Sequence, residues 1–371
     1  MLETIRKPTL ILDEGRMIRN IERMAAKARR SGVLFKPHFK THQSAAIGEV
    51  FRERGVRAIT VSSLDMAAYF AARQWEDITV AFPVNLRQIE EINCLAERVT
   101  LQLLVESRQA VEFLQKNLSR PVQVWIKIDT GSRRTGIPAA ESGAVIDLAK
   151  TIRSCRHLSF RGLLSHAGHS YQARGGVQVE AVYRDTVSKL RALKGALEAE
   201  GIHPVLISHG DTPTCSVVED LSEVDEIRPG NFVFYDLTQL AIGSCAEEDL
   251  AVAVACPVVA LHGEREELVL YGGAVHLSKE FLTRPDGQKM YGGVAQPAQG
   301  WGPLLESSYV SSLSQEHGIV RAGKDLLERV RVGDLLMVLP VHSCLTVDLL
   351  REFLSLEAAS TPQRQGLPCP P

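Results

Sequence analysis

Val33-Leu-Phe-Lys-Pro-His-Phe-Lys-Thr-His42 is a short apolar run that ends in two lysines, two histidines and a proline. A strand needs none of those proton carriers to fold, so they make sense where its C-terminal end opens onto a reactive site. Val33–Phe35 is also the first of a series. Apolar, partly β-branched runs recur at Ala58–Val61, Ile78–Phe82, Leu101–Val105, Val122–Ile128, Phe160–Leu164, Val205–Ile207 and Ile227–Phe234, eight in all. A short strand-like run, Thr9–Asp13, and an amphipathic helical pattern, Met17–Arg30, precede them. Most gaps hold helical patterns: Ala45–Arg54, Leu64–Arg73, Leu86–Ala96, Arg108–Leu118, Ser142–Ile152 and Val177–Ala199. Eight such units match the count of an α/β fold of the (β/α)8 TIM-barrel type. An open doubly wound sheet alternates in the same way. The absence of a Gly-x-Gly-x-x-Gly turn favours the barrel.

The polar residues sharpen the barrel reading. Just after the apolar runs come Lys40-Thr-His42, Ser62-Ser63, Asn85, Glu106, Asp129-Thr-Gly, His166-Ala-Gly-His169, His209-Gly-Asp-Thr212 and Tyr235-Asp236. All would lie on the C-terminal rim, where barrel enzymes place their chemistry. Each could singly be a helix cap or turn former. Beyond Ala241 the pattern turns β-rich, at Leu250–Leu261, Glu267–Tyr271 and Val332–Leu339, while Phe281–Glu306 reads as an extended Gly- and Pro-rich loop. The expected organisation is a barrel over residues 10–240, a mainly β domain from 1–9 and 241–357, and a disordered tail at 358–371.

Composition excludes several classes. The chain of 371 residues is 45% hydrophobic, has net charge −2 and carries no basic run, so nucleic acid is not expected as a partner. No apolar run would span a bilayer, and the N-terminus lacks the apolar core of a secretory signal. Seven scattered cysteines suit a reducing cytoplasm.

Several stretches carry chemistry. Lys40 is a nucleophile only if its charge is disfavoured by burial or by neighbouring cations such as Lys36 and the rim histidines. On the decapeptide alone, that reading and a solvated strand-end lysine are evenly balanced. Ser208-His-Gly-Asp-Thr-Pro-Thr214 offers small residues and a helix start to a phosphate, at the usual phosphate position of barrels. Arg228-Pro-Gly-Asn231 would be its companion loop, with Tyr235 close behind. The same stretch also reads as an N-cap at Asp211 or Thr212 followed by Pro213. Asp129–Gly136 holds Arg133 and Arg134, and Ser165–Tyr171 holds His166, His169 and Tyr171, which could face or flank a planar ring. Either could equally be an ordinary rim loop. Ser314–Gly318, with His317, is a site edge or a simple turn. His342-Ser-Cys344 follows a strand, and on an extended segment the two side chains would point the same way and could share a zinc-type ion. By itself, His-x-Cys reads rather as a buried cysteine beside an incidental histidine.

Taken in order, these motifs resemble the D-serine dehydratase and D-threonine aldolase family of fold-type III pyridoxal phosphate (PLP) enzymes, with an alanine racemase-like barrel. The pieces are Pro37-His-Phe-Lys40-Thr, Asp129–Gly136, Ser165–Tyr171, Gly210-Asp-Thr-Pro-Thr214, Arg228–Asp236, Gln315–Gly318 and His342-Ser-Cys344. The resemblance covers nearly the whole chain. It implies PLP held covalently by Lys40, with its phosphate in loops matching Gly210, Asp211 and Thr212, and Gly230 and Asn231. It also implies Arg134, His166, Tyr171, Arg228 and Tyr235 around the cofactor, and a homodimer. His342 and Cys344 would hold a divalent metal, Zn2+ first and Mn2+ second. The His-x-Cys form points to elimination from a β-hydroxy D-amino acid, giving a 2-oxo acid and ammonia. The alternatives are aldol cleavage to glycine and an aldehyde, a racemase, or a non-catalytic PLP-binding protein. Asp211 departs from the serine common in the family, and Leu270–Lys279 differs from the dehydratases.

Overall fold

The computed structural model describes residues 2–356; the tail at 358–371 lies outside them. The chain forms two compact units. One is Glu22–Gly230 with Ile242–Ser244. The other takes the described residues up to Ile21, Asn231–Ala241 and the described residues from Cys245 onward.

The first unit is a closed parallel barrel. Its eight strands are Leu34–Phe35, Ala58–Val61, Asp77–Pro83, Thr100–Val105, Val122–Asp129, Leu158–His166, Leu206–Gly210 and Glu226–Ile227. From Ala58–Val61 onward each pairs in parallel with the next, and Glu226–Ile227 pairs with Leu34–Phe35. The ring closes through the opening decapeptide. His38 bridges Thr60 in parallel, Phe39 N–H donates to Thr60 O at 2.8 Å, and Thr60 N–H donates to Pro37 O at 2.9 Å. Pro37 has no N–H to offer a ladder, so closure passes to its flanking residues. An open sheet would leave both edge strands unpaired, which is not what is seen. Serine caps then start the helices that follow three of the strands. Ser44, Ser63 and Ser107 accept from Ile47, Met66 and Ala110 N–H. Ser63 and Asn85 on the rim are therefore caps.

One strand is shorter than its apolar run predicts. Of Ile227–Phe234, only Ile227 is in the strand, and Asn231–Val233 forms a 3-10 turn. Pro229 again withholds an N–H, and Asn231 O accepts from Phe234 and Tyr235 N–H.

The second unit is built on an eight-stranded sheet. In order it runs Glu267–Tyr271, His317–Arg321, Gly300–Leu313, Gly292–Ala298, Leu335–Pro340, Val252–His262, Thr9–Leu12 and Phe353–Ser355. Glu267–Tyr271 also pairs with Val252–His262, which closes the first six strands on themselves. The stretch Phe281–Glu306 is not an extended loop. It holds two short strands, Leu282–Thr283 and Lys289–Met290, and much of the pair Gly292–Ala298 and Gly300–Leu313. Its glycines serve packing: a Cβ on Gly292 would lie 2.6 Å from Val338, and one on Gly293 2.5 Å from Leu304. Among the described residues no helix is long and apolar enough to cross a membrane.

Candidate active site

The two lysines of the opening stretch part company. Lys36 is fully buried and donates to Asp77 Oδ1 at 2.6 Å. That carboxylate also accepts from Gln102 Nε2 at 2.8 Å. Lys36 is thus a paired core charge, not the cation expected to activate Lys40. Lys40 sits in the turn after the His38–Thr60 bridge and is exposed on the rim. His42 lies inward, 4.4 Å from Phe39 and 5.7 Å from Phe51 between ring centroids. Burial holds its pKa down to about 3, so it is a neutral core residue.

The Pro229–Gly230 loop meets the Lys40 turn. His38 N–H donates to Pro229 O at 2.9 Å. A Cβ on Gly230 would stand 3.0 Å from His38 Cβ, His38 O and Thr41 Oγ1, so glycine admits this approach. Gly210 is similar: its Cβ would lie 3.1 Å from Arg228 Cβ. Arg228 is buried and pinned. Its Nη2 donates to Ser165 O at 2.6 Å, its Nε donates to Ser208 Oγ, and Glu226 lies at 3.8 Å. Burial lowers its pKa to about 10, with Glu226 opposing, so the guanidinium stays charged.

The same charges converge on His166. Burial lowers its pKa to about 3, Asp211 opposes, and the cations Lys40, Arg134 and Arg228 add to the depression. Burial, Lys40 and Arg228 likewise hold His38 well below the usual imidazole range. His38 and His166 are therefore neutral beside Arg134 and Arg228, an arrangement that favours an anionic ligand. Tyr171 lies 6.3 Å from His166 between ring centroids. Arg134 is exposed in the loop that Asp129 shapes. The Asp129 carboxylate accepts from Gly131 and Arg133 N–H, and Glu106 accepts from Gly136 N–H at 2.6 Å.

Asp211 has a structural answer. It is the N-cap of the helix Thr212–Val217. Its carboxylate accepts from Thr214 N–H at 2.7 Å, Thr214 Oγ1 at 2.8 Å and Ser170 Oγ at 2.9 Å, with His209 Nε2 at 3.3 Å. Burial opposes its charge, but the His209 contact and these donors hold its pKa below the ordinary value. The buried Thr212 Oγ1 has no hydrogen-bond partner among the described residues. That orphan hydroxyl, the two glycine approaches and the Arg228 cation fit a phosphorylated aromatic cofactor such as PLP.

One residue was missed. Lys127 is buried in the strand Val122–Asp129, between Ile126 and Ile128, and donates to Ile128 O at 2.8 Å. Burial, Arg228 and Arg134 lower its pKa to about 8. A lysine between two isoleucines of a strand was the signal available in the sequence.

In the second unit, His342 and Cys344 do not lie on an extended segment. His342 is the N-cap residue of the helix Ser343–Leu350, with Cys344 in its first turn. A helix start draws them together instead. Burial disfavours the imidazolium, but a hydrogen bond to Cys344 and the charges of Cys344, Asp236 and Glu280 outweigh it, lifting the His342 pKa to about 9. No three His, Cys, Asp or Glu side chains converge as a metal site among the described residues. The pair itself has the imidazole and sulfur donors that suit zinc. Asn231 and Tyr235 belong to this unit. The Asn231 side chain is turned to Asp236, Ser343 and Cys344. Tyr235 is buried at φ 51°.

Comparison with known proteins gives a consistent picture. The family model "Alanine racemase, N-terminal domain" matches residues 12–237, and "Putative serine dehydratase domain" matches residues 251–356. The chain is 30% identical to a D-threo-3-hydroxyaspartate dehydratase of Delftia sp. (strain HT23), over 98% of this chain and 97% of that protein. It is 25% identical to a D-serine dehydratase of Dictyostelium discoideum, over 95% and 93%. The solved structure of the Delftia dehydratase superposes with a TM-score of 0.89, covering 95% of this chain and 96% of that one. A cysteine-to-alanine mutant of a D-threo-3-hydroxyaspartate dehydratase, solved in the metal-free form, superposes at 0.90 with 29% identity, over 98% and 97%. The chain belongs to the D-serine dehydratase and D-threonine aldolase family of PLP-dependent fold-type III enzymes, an alanine racemase-type barrel followed by a serine dehydratase domain.

Proposed function

We propose that this protein is a PLP-dependent lyase that eliminates water from β-hydroxy D-amino acids of the D-serine or D-threo-3-hydroxyaspartate kind, ending in a 2-oxo acid and ammonia. The observation that carries the reading is the approach of Gly230 to the Lys40 turn together with that of Gly210 to the pinned Arg228. The similarity to dehydratases runs over nearly the full length, whereas a D-threonine aldolase of Arthrobacter sp. matches at 23% over 63% of this chain. The His-x-Cys pair supports the same side.

When bound, the cofactor supplies an electron sink for charge developing at the substrate Cα. Lys40 would anchor the cofactor and then, as a free amine, take the Cα proton. Gly210, Thr212 and Gly230 would hold the phosphate. Arg228 would face the ring nitrogen as a fixed cation and keep it unprotonated. Arg134, His166 and Tyr171 would line the ring. His342 and Cys344 would hold a divalent metal, zinc first and manganese second, which supplies Lewis-acid assistance to the departing β-hydroxyl. A homodimer is part of the proposal.

The test is product identity with D-serine, D-threonine and D-threo-3-hydroxyaspartate, with and without a chelator. A 2-oxo acid with ammonia supports elimination; glycine with an aldehyde would replace it with aldol cleavage. An active enzyme indifferent to the chelator would remove the metal from the proposal. Lys40→Ala is expected to lose the cofactor's covalent absorbance, and its retention would overturn the Lys40 assignment.

A further inference from the structure

The helix Ser343–Leu350 begins without a side-chain cap of its own. A carboxylate more than a hundred residues away supplies one. Asp236 Oδ2 accepts from Ser343 N–H at 2.9 Å, from Ser343 Oγ at 3.3 Å and from Asn231 Nδ2 at 2.6 Å. Its Oδ1 accepts from Gln239 N–H at 3.0 Å. Asn231 Nδ2 also reaches Ser343 Oγ at 3.0 Å and Cys344 Sγ at 3.6 Å. One amide N–H thus goes to the carboxylate, and the other is shared between the hydroxyl and the sulfur. The opposite amide orientation would set Asn231 Oδ1 against the Asp236 carboxylate, two acceptors face to face.

Two features exceed what capping requires. Asp236 is 2% exposed, yet no Lys or Arg lies within ion-pair distance of it among the described residues. Burying a carboxylate is costly; of its neighbours, the His342 imidazole is the group whose positive charge it favours, and a neutral serine or asparagine would cap the helix as well. Asn231 is 4% exposed, and its Oδ1 has no partner among the described residues. A buried carboxylate with no Lys or Arg partner, beside an imidazole and a sulfur, is an environment that suits a divalent metal. A thiolate at Cys344 and the Asp236 carboxylate together would balance its two positive charges.

We propose that Asp236 and Asn231 are positioning residues of the His342–Cys344 metal pair: Asp236 fixes the helix start that carries both donors and completes the charge balance, and Asn231 aims an N–H at the Cys344 sulfur. This rests on the reading of His342 and Cys344 as metal ligands. Outer partners of this kind are commonly worth about 10–100-fold in metal affinity.

The experiment uses the full-length, PLP-loaded protein, stripped of metal by a chelator and reloaded with Zn2+ or Co2+. Zn2+ affinity is read by competition with a chelating dye, and ligand geometry by the visible ligand-field bands of bound Co2+. Asp236→Asn is expected to weaken Zn2+ binding by about 10–100-fold, and Asn231→Ala by about tenfold with a shift of the Co2+ bands. Cys344→Ala serves as the reference for lost binding. If Cys344→Ala has lost the metal while Asp236→Asn and Asn231→Ala bind as the wild type with unshifted bands, the positioning role is overturned alone. If Cys344→Ala binds as tightly as the wild type, the ligand reading falls and takes the inference with it. Should Asp236→Asn fail to fold, Asn231→Ala decides by the same two readings.

Discussion

The barrel rim and the helix start at Ser343 place reactive side chains in opposite ways. On the rim, Lys40, His166, Gly210 and Arg228 come from strand ends far apart in sequence, and the closed hydrogen-bond ring collects them. Local contacts then hold the turns beside them, such as the Asp211 cap closing on Thr214 three residues later. In the β unit, His342 and Cys344 are two residues apart, but their support arrives from Asn231 and Asp236. The rim gathers distant donors on local scaffolds. The helix start holds local donors on a distant scaffold.

That contrast is open to direct tests. The largest effect is expected at Cys344. Cys344→Ala should lower turnover by about 10³-fold or more through loss of metal assistance worth several kcal/mol. Cys215→Ala should leave turnover within about twofold and cost about 1 kcal/mol of stability, because Cys215 is fully buried and burial pushes its thiol up to about 12. Equal losses in both, measured as kcat/KM beside denaturant unfolding, would erase the distinction between a ligand thiol and a core thiol.

Gly230→Ala comes next. Its Cβ would press on His38 and Thr41 at 3.0 Å and push the turn that carries Lys40. A displacement of this order costs up to about 10²-fold in rate. The variant should lose kcat/KM by about 10–100-fold while its metal content is unchanged. A loss of metal instead would break the separation of the two regions.

The smallest effect concerns acid stability. His42 stays neutral in the fold until about pH 3, against an ordinary value of 6.5. Between those values the unfolded chain binds a proton that the native state refuses, so stability falls as pH falls through this window. At about pH 5 the deficit is about 2 kcal/mol. His42→Leu should remove about that much of the stability difference between neutral pH and pH 5, followed by urea unfolding. Rim chemistry should keep its pH profile, since His42 is buried among Phe39, Phe51 and Phe70.

Much of the barrel was legible because its signals are local. Alternating apolar runs and helical periods report burial at a spacing of two or 3.6 residues, and seven of the eight runs correspond to strands of the expected order. The eighth ended early because Pro229 breaks a ladder whose apolar side chains continue regardless. Phe281–Glu306 was misread because Gly and Pro usually mark loops, whereas Gly292 and Gly293 are required there by Val338 and Leu304 across the sheet. Asp211 was noticed as an oddity, but its partner Ser170, 41 residues earlier, becomes a neighbour only when two strands lie side by side.

By itself, the sequence determined the eight-unit alternation, the order of the motifs and the identity of the residues able to carry chemistry, since all three depend on neighbours along the chain. The tertiary structure alone decided which of those residues are free to act. Lys36 and Lys40 are the same side chain four positions apart. Only the approach of Asp77 buries and pairs one of them, while the turn after the Thr60 bridge leaves the other on the rim. Burial and pairing are set by what packs from elsewhere, and they decide whether a charge is structural or reactive.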